Sequence, residues 1–204
     1  MGNPKTGDVR ETIIKESTRL FLANGFRGTS VKEITEAAGI GRGTLYWYFK
    51  SKDEILESIF LKFQRIFVEG LINAVGNCEG DFVAKYRVFH KFGTEFARDH
   101  RDLALASATL LNEILGSKTE AETLVKSIYH RYRHFVEKML EDGKKEGTVH
   151  ESVNTALYAH IICASHAGML VQWFLHEDSL DVGSFVKTFR DLILRGATTK
   201  VTHE

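Results

Sequence analysis

The sequence predicts an all-α chain: three short helices containing a helix-turn-helix, followed by about six longer helices. Three observations carry this. Apolar residues recur at spacings of three and four along most of the chain, and alternating β-branched runs are missing. The single proline is Pro4, so no proline interrupts a later helix interior. The breaks between periodic stretches fall at Asn24-Gly25, Gly39, Gly80-Asp81, Gly116-Ser117, Gly147 and Asp178-Ser179. Glycine and short polar side chains support turns there.

The first helix is expected over about 8–24, with Ile13, Ile14, Ser17, Leu20 and Phe21 inward and Asn24-Gly25 as its stop. Ser30 then caps a second helix, and Glu33 three residues on completes a capping box. Val31, Ile34 and Ala38 share its inner face. Gly39 ends it, because a left-handed residue without a Cβ meets no steric resistance. A third helix follows over about 42–48, and Ser51 or Lys52 opens a fourth that runs to about 75. Later helices are expected near 81–99, 102–115, 118–146, 152–176 and 181–196.

Of the 204 residues, 43% are hydrophobic and 26% charged, the composition of a soluble globular protein. The net charge is zero, yet residues 1–52 carry nine Lys or Arg against five Asp or Glu, leaving 18 against 22 in residues 53–204. A basic head on an acidic body suits an anionic partner at the N-terminal end. Cys78 and Cys163 fit no metal or redox spacing, and Cys163 reads as a small core residue. Gly2 with Thr6 loosely matches an N-myristoylation pattern, but the opening reads as a flexible tail. No apolar signal segment opens the chain, so a cytoplasmic location is expected.

Two short helices joined by a tight turn at Gly39 describe a helix-turn-helix, whose second helix lies in the DNA major groove. That second helix is crowded with rings: Tyr46, Trp47, Tyr48 and Phe49 are consecutive. Advancing about 100° per residue leaves Leu45 and Phe49 about 40° apart on one face and puts Trp47 opposite them. Leu45, Phe49 and Ile40 are therefore expected inward. Arg42, Gly43, Thr44, Tyr46, Trp47 and Tyr48 are left for DNA. Arg42 can donate a bidentate pair to guanine or neutralise a phosphate, and Gly43 lets the backbone approach the groove. Thr44 offers a hydroxyl and a methyl. Tyr46 and Tyr48 reach phosphate oxygens, and Trp47 packs on sugar or a thymine methyl. Lys32 and Lys52 are placed to clamp phosphates. The segment GIGRG superficially matches a dinucleotide-binding glycine motif, but Thr44 stands at its last glycine and no strand precedes it.

The run from Phe21 to Leu56, FLANGFRGTSVKEITEAAGIGRGTLYWYFKSKDEIL, resembles the N-terminal domain of the TetR/AcrR family of bacterial transcriptional regulators. The matching residues are Phe21 and Gly25-Phe26, then Thr29-Ser30-Val31, Ala38-Gly39-Ile40, Gly43 to Phe49, and Ser51-Lys52-Asp53-Glu54. Two departures stand out: Gly41 replaces the serine common at the cap of the recognition helix, and Thr35 replaces an alanine. The resemblance covers about residues 9–56. It implies a DNA-binding domain over 1–52 and an effector-binding and dimerisation domain over 53–204. It further implies a repressor released from a palindromic double-stranded DNA operator by a small, lipophilic effector. An activator, or a DNA-binding protein that senses no small molecule, is the alternative. A helical scaffold is a further one.

Residues Ala156–Leu175 contain no formal charge over 20 positions, a length that invites a membrane span. His160, Ser165, His166 and Gln172 inside it, and acidic rather than basic flanks, speak against one. A helix apolar all round can equally be buried on every side. Val153, Leu157, Ile161, Ala164, Gly168, Val171 and Leu175 form one stripe, with Phe185, Phe189, Leu192 and Ile193 of the last helix beside it. In the family the last two helices commonly form a dimer interface, so a homodimer through 152–176 and 181–196 is expected.

Phe63 and Phe67 lie one turn apart, followed by Phe82, Tyr86, Phe89 and Phe96, and by Tyr129 and Tyr132. By itself such a stripe reads as core. The resemblance implies that part of it lines an effector pocket, with Phe63, Phe67 and Phe89 as walls and Asn112, Tyr129, Arg133 and His166 as polar groups. No metalloprotease, nucleophile-elbow, phosphate-loop or paired-carboxylate signature occurs, and His160 and His166 lack metal-ligand spacing. No enzymatic activity, metal or cofactor is expected.

Overall fold

The computed structural model describes residues 6–199. Gly2 of the N-terminal pattern, and Pro4, lie outside the described residues. The helices are α1 (Thr6–Gly28), α2 (Val31–Ala38), α3 (Arg42–Tyr48), α4 (Lys52–Phe63), a π-helical segment (Gln64–Glu69), α5 (Gly70–Gly76), α6 (Phe82–Asp99), α7 (Arg101–Ile114), α8 (Glu120–Lys145), α9 (Thr155–Leu175) and α10 (Val182–Ala197). Among the described residues there is no strand, only one isolated antiparallel bridge between Val149 and Thr198. The fold is all-α.

The chain forms two compact units, Met1–Arg65 with His100–Ser127, and Ile66–Asp99 with Ile128–Glu204. In the first, α1 packs on α2, α4 and α7 around Ile13, Ile14, Phe21, Ile34, Leu45, Phe49, Ile55 and Ile59, all buried. Arg10, exposed on α1, ties that helix to α4: its guanidinium donates to Ser58 Oγ (2.9 Å) and lies 5.0 Å from the centre of the Phe49 ring. The capping box forms as read. Ser30 Oγ accepts from the Glu33 N–H, while a Glu33 carboxylate oxygen accepts from the Ser30 N–H (2.7 Å). Gly39 is left-handed (φ 65°), the conformation glycine adopts without a Cβ penalty.

The turn after α7 is held by one carboxylate. Glu122 accepts from Lys126 Nζ (2.7 Å) and from the backbone N–H groups of Gly116 (3.0 Å) and Lys118 (2.7 Å). The Lys126 bond, then the two backbone donors, pull its carboxyl down to about 2. A depressed folded value contributes stability that is fully present above the ordinary unfolded value and is lost as pH falls through the folded one. Acid unfolding followed by circular dichroism is therefore expected to steepen between roughly pH 4.3 and about 2. Glu122→Gln should flatten that limb; an unchanged acid limb would count against this account.

In the second unit, α5 packs on α6 and α10 packs on α6. The loop after α8 and the start of α9 are tied to the end of α10: the His150 N–H donates to Ala197 O (2.8 Å), Thr199 Oγ1 to Gly147 O (3.0 Å) and Tyr158 Oη of α9 to Gly196 O (3.1 Å). Gly70 permits a close approach, since a Cβ there would stand 2.7 Å from the Phe92 ring.

The first helix is interrupted where expected, at Gly25, whose backbone (φ 75°, ψ 162°) is non-helical, and a further turn follows to Gly28. Two expectations need correction. The fourth helix is not regular to residue 75, because Gln64–Glu69 is wound as a π-helix. Wider winding adds a residue to a turn without ending the helix, so apolar spacing alone does not reveal it. Val153, expected on the interface stripe, is buried within the chain, because it lies before α9 in the loop that closes on α10. No described helix is long and apolar enough to cross a membrane.

Candidate nucleic-acid interface and effector site

α3 presents two different faces. Leu45 is fully buried and Phe49, at its C-terminal cap, nearly so. Trp47, between them in sequence, is 72% exposed and Tyr46 44%. Arg42, Gly43 and Thr44 are exposed as well, and Tyr48 is half-buried. The exposed rings are braced. Trp47 and Tyr48 meet edge to face at 4.6 Å, and the Arg42 guanidinium lies 5.6 Å from the Tyr46 ring centre with Nη2 3.4 Å from its hydroxyl. Such bracing reduces the rotamer freedom lost when the group engages a partner. Gly41 at the cap supplies no side-chain hydrogen bond, as its residue type dictates.

Lys32 is exposed on α2, 3.7 Å from Glu36, a pair too solvated to hold it. Lys52 is different. Its Nζ donates to Phe26 O (2.6 Å) and Thr29 O (2.7 Å) and lies 4.4 Å from the Phe26 ring centre. Its ammonium is tied to the turn between α1 and α2, whose carbonyls α1 leaves unpaired at its end, which leaves one of its three N–H groups for a phosphate. The Phe26 N–H is held from the other side by Glu113 on α7, at 3.2 and 3.1 Å to its two carboxylate oxygens. Glu113 was not legible from sequence, since its partner lies 87 positions away.

The expected effector residues divide. Phe63 and Asn112 belong to the first unit; Phe63 is buried and Asn112 is exposed on α7. Asn112 is thus not enclosed, because the inner face of α7 is taken by Leu103, Ala106, Leu110 and Ile114. Phe67, Phe89, Tyr129, Arg133 and His166 belong to the second unit. Arg133 is paired with Glu137 at 2.6 Å and Tyr129 is half-buried. Phe67, Phe89 and His166 do converge. Phe67 packs on Phe96 (4.8 Å) and Tyr132 (5.4 Å), and His166 stacks on Phe89 at 4.9 Å. His166 Nδ1 lies 2.7 Å from Tyr132 Oη.

The same cluster holds residues not singled out as polar candidates: Tyr86, His90, Tyr132 and Cys163. His90 meets Tyr86, His166 and Phe189 edge-on at 4.7, 4.9 and 5.5 Å. Phe189 thus serves this interior, rather than the outer stripe of α9 and α10 beside which it was placed. Burial, with the charges of His166 and Arg190, lowers His90 to about 2, and burial lowers His166 to about 4. Burial raises the Cys163 thiol to about 12 and pushes the Tyr132 hydroxyl well above its ordinary value. No group of three or more His, Cys, Asp or Glu suited to a metal ion occurs among the described residues.

A capped helix, a left-handed glycine and a short helix with exposed cation and rings define a helix-turn-helix regulator of the DNA-binding class. Comparison with known proteins sharpens this. The model described as "Bacterial regulatory proteins, tetR family" matches residues 13–59, and that described as "YsiA-like protein, C-terminal region" matches residues 63–196. The chain belongs to the tetR family of bacterial regulatory proteins. It is 25% identical over 195 residues to the transcriptional repressor KstR2 of Rhodococcus jostii, covering 92% of this chain and 90% of that one. Its fold is similar to that of the MbdR regulator from Azoarcus sp. CIB, with a TM-score of 0.82, 26% identity, and 92% and 98% of the two chains covered. It is also similar to the transcriptional regulator FadR from Bacillus subtilis in complex with stearoyl-CoA, with a TM-score of 0.76, 23% identity, and 95% and 99% covered.

Proposed function

We propose that this chain is a homodimeric, cytoplasmic repressor that holds a pseudo-palindromic operator through α3 and releases it when a lipophilic effector enters the second unit. The observation that carries the DNA reading is Trp47, 72% exposed two residues from a fully buried Leu45. Large apolar area is rarely left in water without a partner. Arg42, Gly43, Thr44, Tyr46 and Tyr48 accompany it, and Lys32 adds a phosphate contact from α2. Residues 1–52 are read as the head and 53–204 as the body, of which the second unit is the effector-binding part. The exposed Leu157, Ile161, Val171, Leu175 and Leu192 support a two-fold interface along α9 and α10. The stearoyl-CoA bound by FadR supports a lipophilic effector, as does the aromatic interior around Phe67 and Phe89.

Release is then a population shift: the effector favours a dimer whose two α3 helices no longer match the half-site spacing. The test is a fluorescence-anisotropy titration against an operator selected from random duplexes. Arg42→Ala is expected to cost about 1–3 kcal/mol and to relax selectivity at one base pair, if that residue grips guanine. Raising salt should weaken binding steeply, and palmitoyl-CoA should displace the operator. Full operator affinity in Arg42→Ala would remove α3 as the reading helix.

A further inference from the structure

Within the second unit, three polar atoms are buried without a hydrogen bond: Tyr86 Oη, His90 Nε2 and His166 Nε2. They belong to one locus, because the His90 ring centre lies 4.7 Å from that of Tyr86 and 4.9 Å from that of His166. Buried polar groups in folded proteins are nearly always paired, and three orphans in one place call for a cause. Tyr86 is fully buried and His90 is 4% exposed.

The character of the locus follows from its bonds. Tyr132 Oη and His166 Nδ1 are 2.7 Å apart. The buried Tyr132 hydroxyl is served only if its hydrogen goes to Nδ1, which places the His166 ring proton on Nε2. That atom and Tyr86 Oη are then hydrogen-bond donors facing the cluster. Formal charge is absent from it: burial keeps both histidines neutral at neutral pH, Arg133 is paired with Glu137, and Arg190 with Asp191. A buried carboxylate would find no compensating cation, whereas an uncharged oxygen needs only the donors. The walls are flat. Phe82, Tyr86, Phe89 and Tyr132 form a succession of near-parallel rings, with interplanar angles of 20°, 11° and 6°. His166 lies against Phe89 at 27°.

We propose that Tyr86 Oη, His90 Nε2 and His166 Nε2, each carrying its hydrogen, form the polar end of a ligand site that receives an uncharged carbonyl or hydroxyl oxygen carried on a flat ring. The ring lies against the aromatic faces beside Phe89, where offset stacking is favourable. This rests on the second unit being the effector-binding body, and it names the effector's chemical class.

Acetophenone and ethylbenzene, matched in shape and differing by one carbonyl oxygen, test it on the full-length chain by calorimetry and thermal denaturation. Acetophenone is expected to bind saturably and about tenfold more tightly than ethylbenzene, the worth of one good hydrogen bond. Tyr86→Phe removes a single oxygen. It should leave the ligand-free Tm unchanged or raised, since an unmade bond is deleted, while narrowing the preference to about threefold or less. His90→Phe should do the same and guards against a folding defect in the first variant. Equal binding of the two probes, no saturable acetophenone binding, or a lowered Tm in ligand-free Tyr86→Phe would each overturn the proposal. Palmitoyl-CoA added to the operator complex separates the two readings. Displacement without any carbonyl preference leaves the repressor reading standing and removes this one. Selective acetophenone binding with an operator that no compound displaces does the reverse.

Discussion

With Leu157 and Ile161 both replaced by aspartate, the chain is expected to become monomeric and to lose about a hundredfold or more in operator affinity. Both side chains lie on α9, 59% and 52% exposed, and Leu175 and Leu192 are 67% and 66% exposed. Under two-fold symmetry each substitution occurs twice, so four carboxylates would enter the proposed interface without partners. The opposite face of α9 keeps its own packing, because Ala159 and Ile162 are fully buried and untouched. Helicity should therefore persist while the association fails. The affinity loss follows because two linked heads convert the second half-site contact into an intramolecular one. Sedimentation velocity and anisotropy on the same samples check it. A dimer that survives both substitutions would place the interface elsewhere.

The second large effect lies within two residues of one helix. Phe49→Ala should cost roughly 3–5 kcal/mol of stability, the usual range for truncating a buried aromatic. Phe49 is 1% exposed and supports the Arg10 guanidinium 5.0 Å from its ring centre. Trp47→Ala should change stability by no more than about 0.5 kcal/mol, as for other exposed positions. Its expected effect is on operator affinity, a loss of about tenfold or 1.4 kcal/mol. Thermal melts and binding titrations on the two variants give opposite patterns if α3 faces DNA. A destabilised Trp47→Ala with intact DNA binding would mean that its ring serves the fold.

This contrast is legible in the sequence, and the reason is local. Leu45 and Phe49 share a face because helical periodicity puts them there, and a run of four aromatic residues cannot all turn inward. The Ser30 and Glu33 box and the left-handed Gly39 are equally local, spanning four residues and one residue. The body was less legible. An aromatic stripe at helical spacing reads the same whether it packs as plain core or gathers polar atoms among its rings. His90 is not legible from spacing, because its unpaired nitrogen exists only where α6, α8, α9 and α10 bring Tyr86, Tyr132, His166 and Phe189 together.

By itself, then, the sequence determined the helical class, the caps and turns of the head, and which face of α3 is left outward. Those outcomes depend on residues within about four positions of each other, where sequence spacing is spatial spacing. Tertiary structure alone decided that Lys52 grips the carbonyls of Phe26 and Thr29, that Glu113 holds the Phe26 N–H, and that π-winding carries Phe67 to Phe96 and Tyr132. Their partners stand 23 to 87 positions apart. Which donors meet which acceptors at that range is settled by packing, the one quantity that a spacing pattern does not contain.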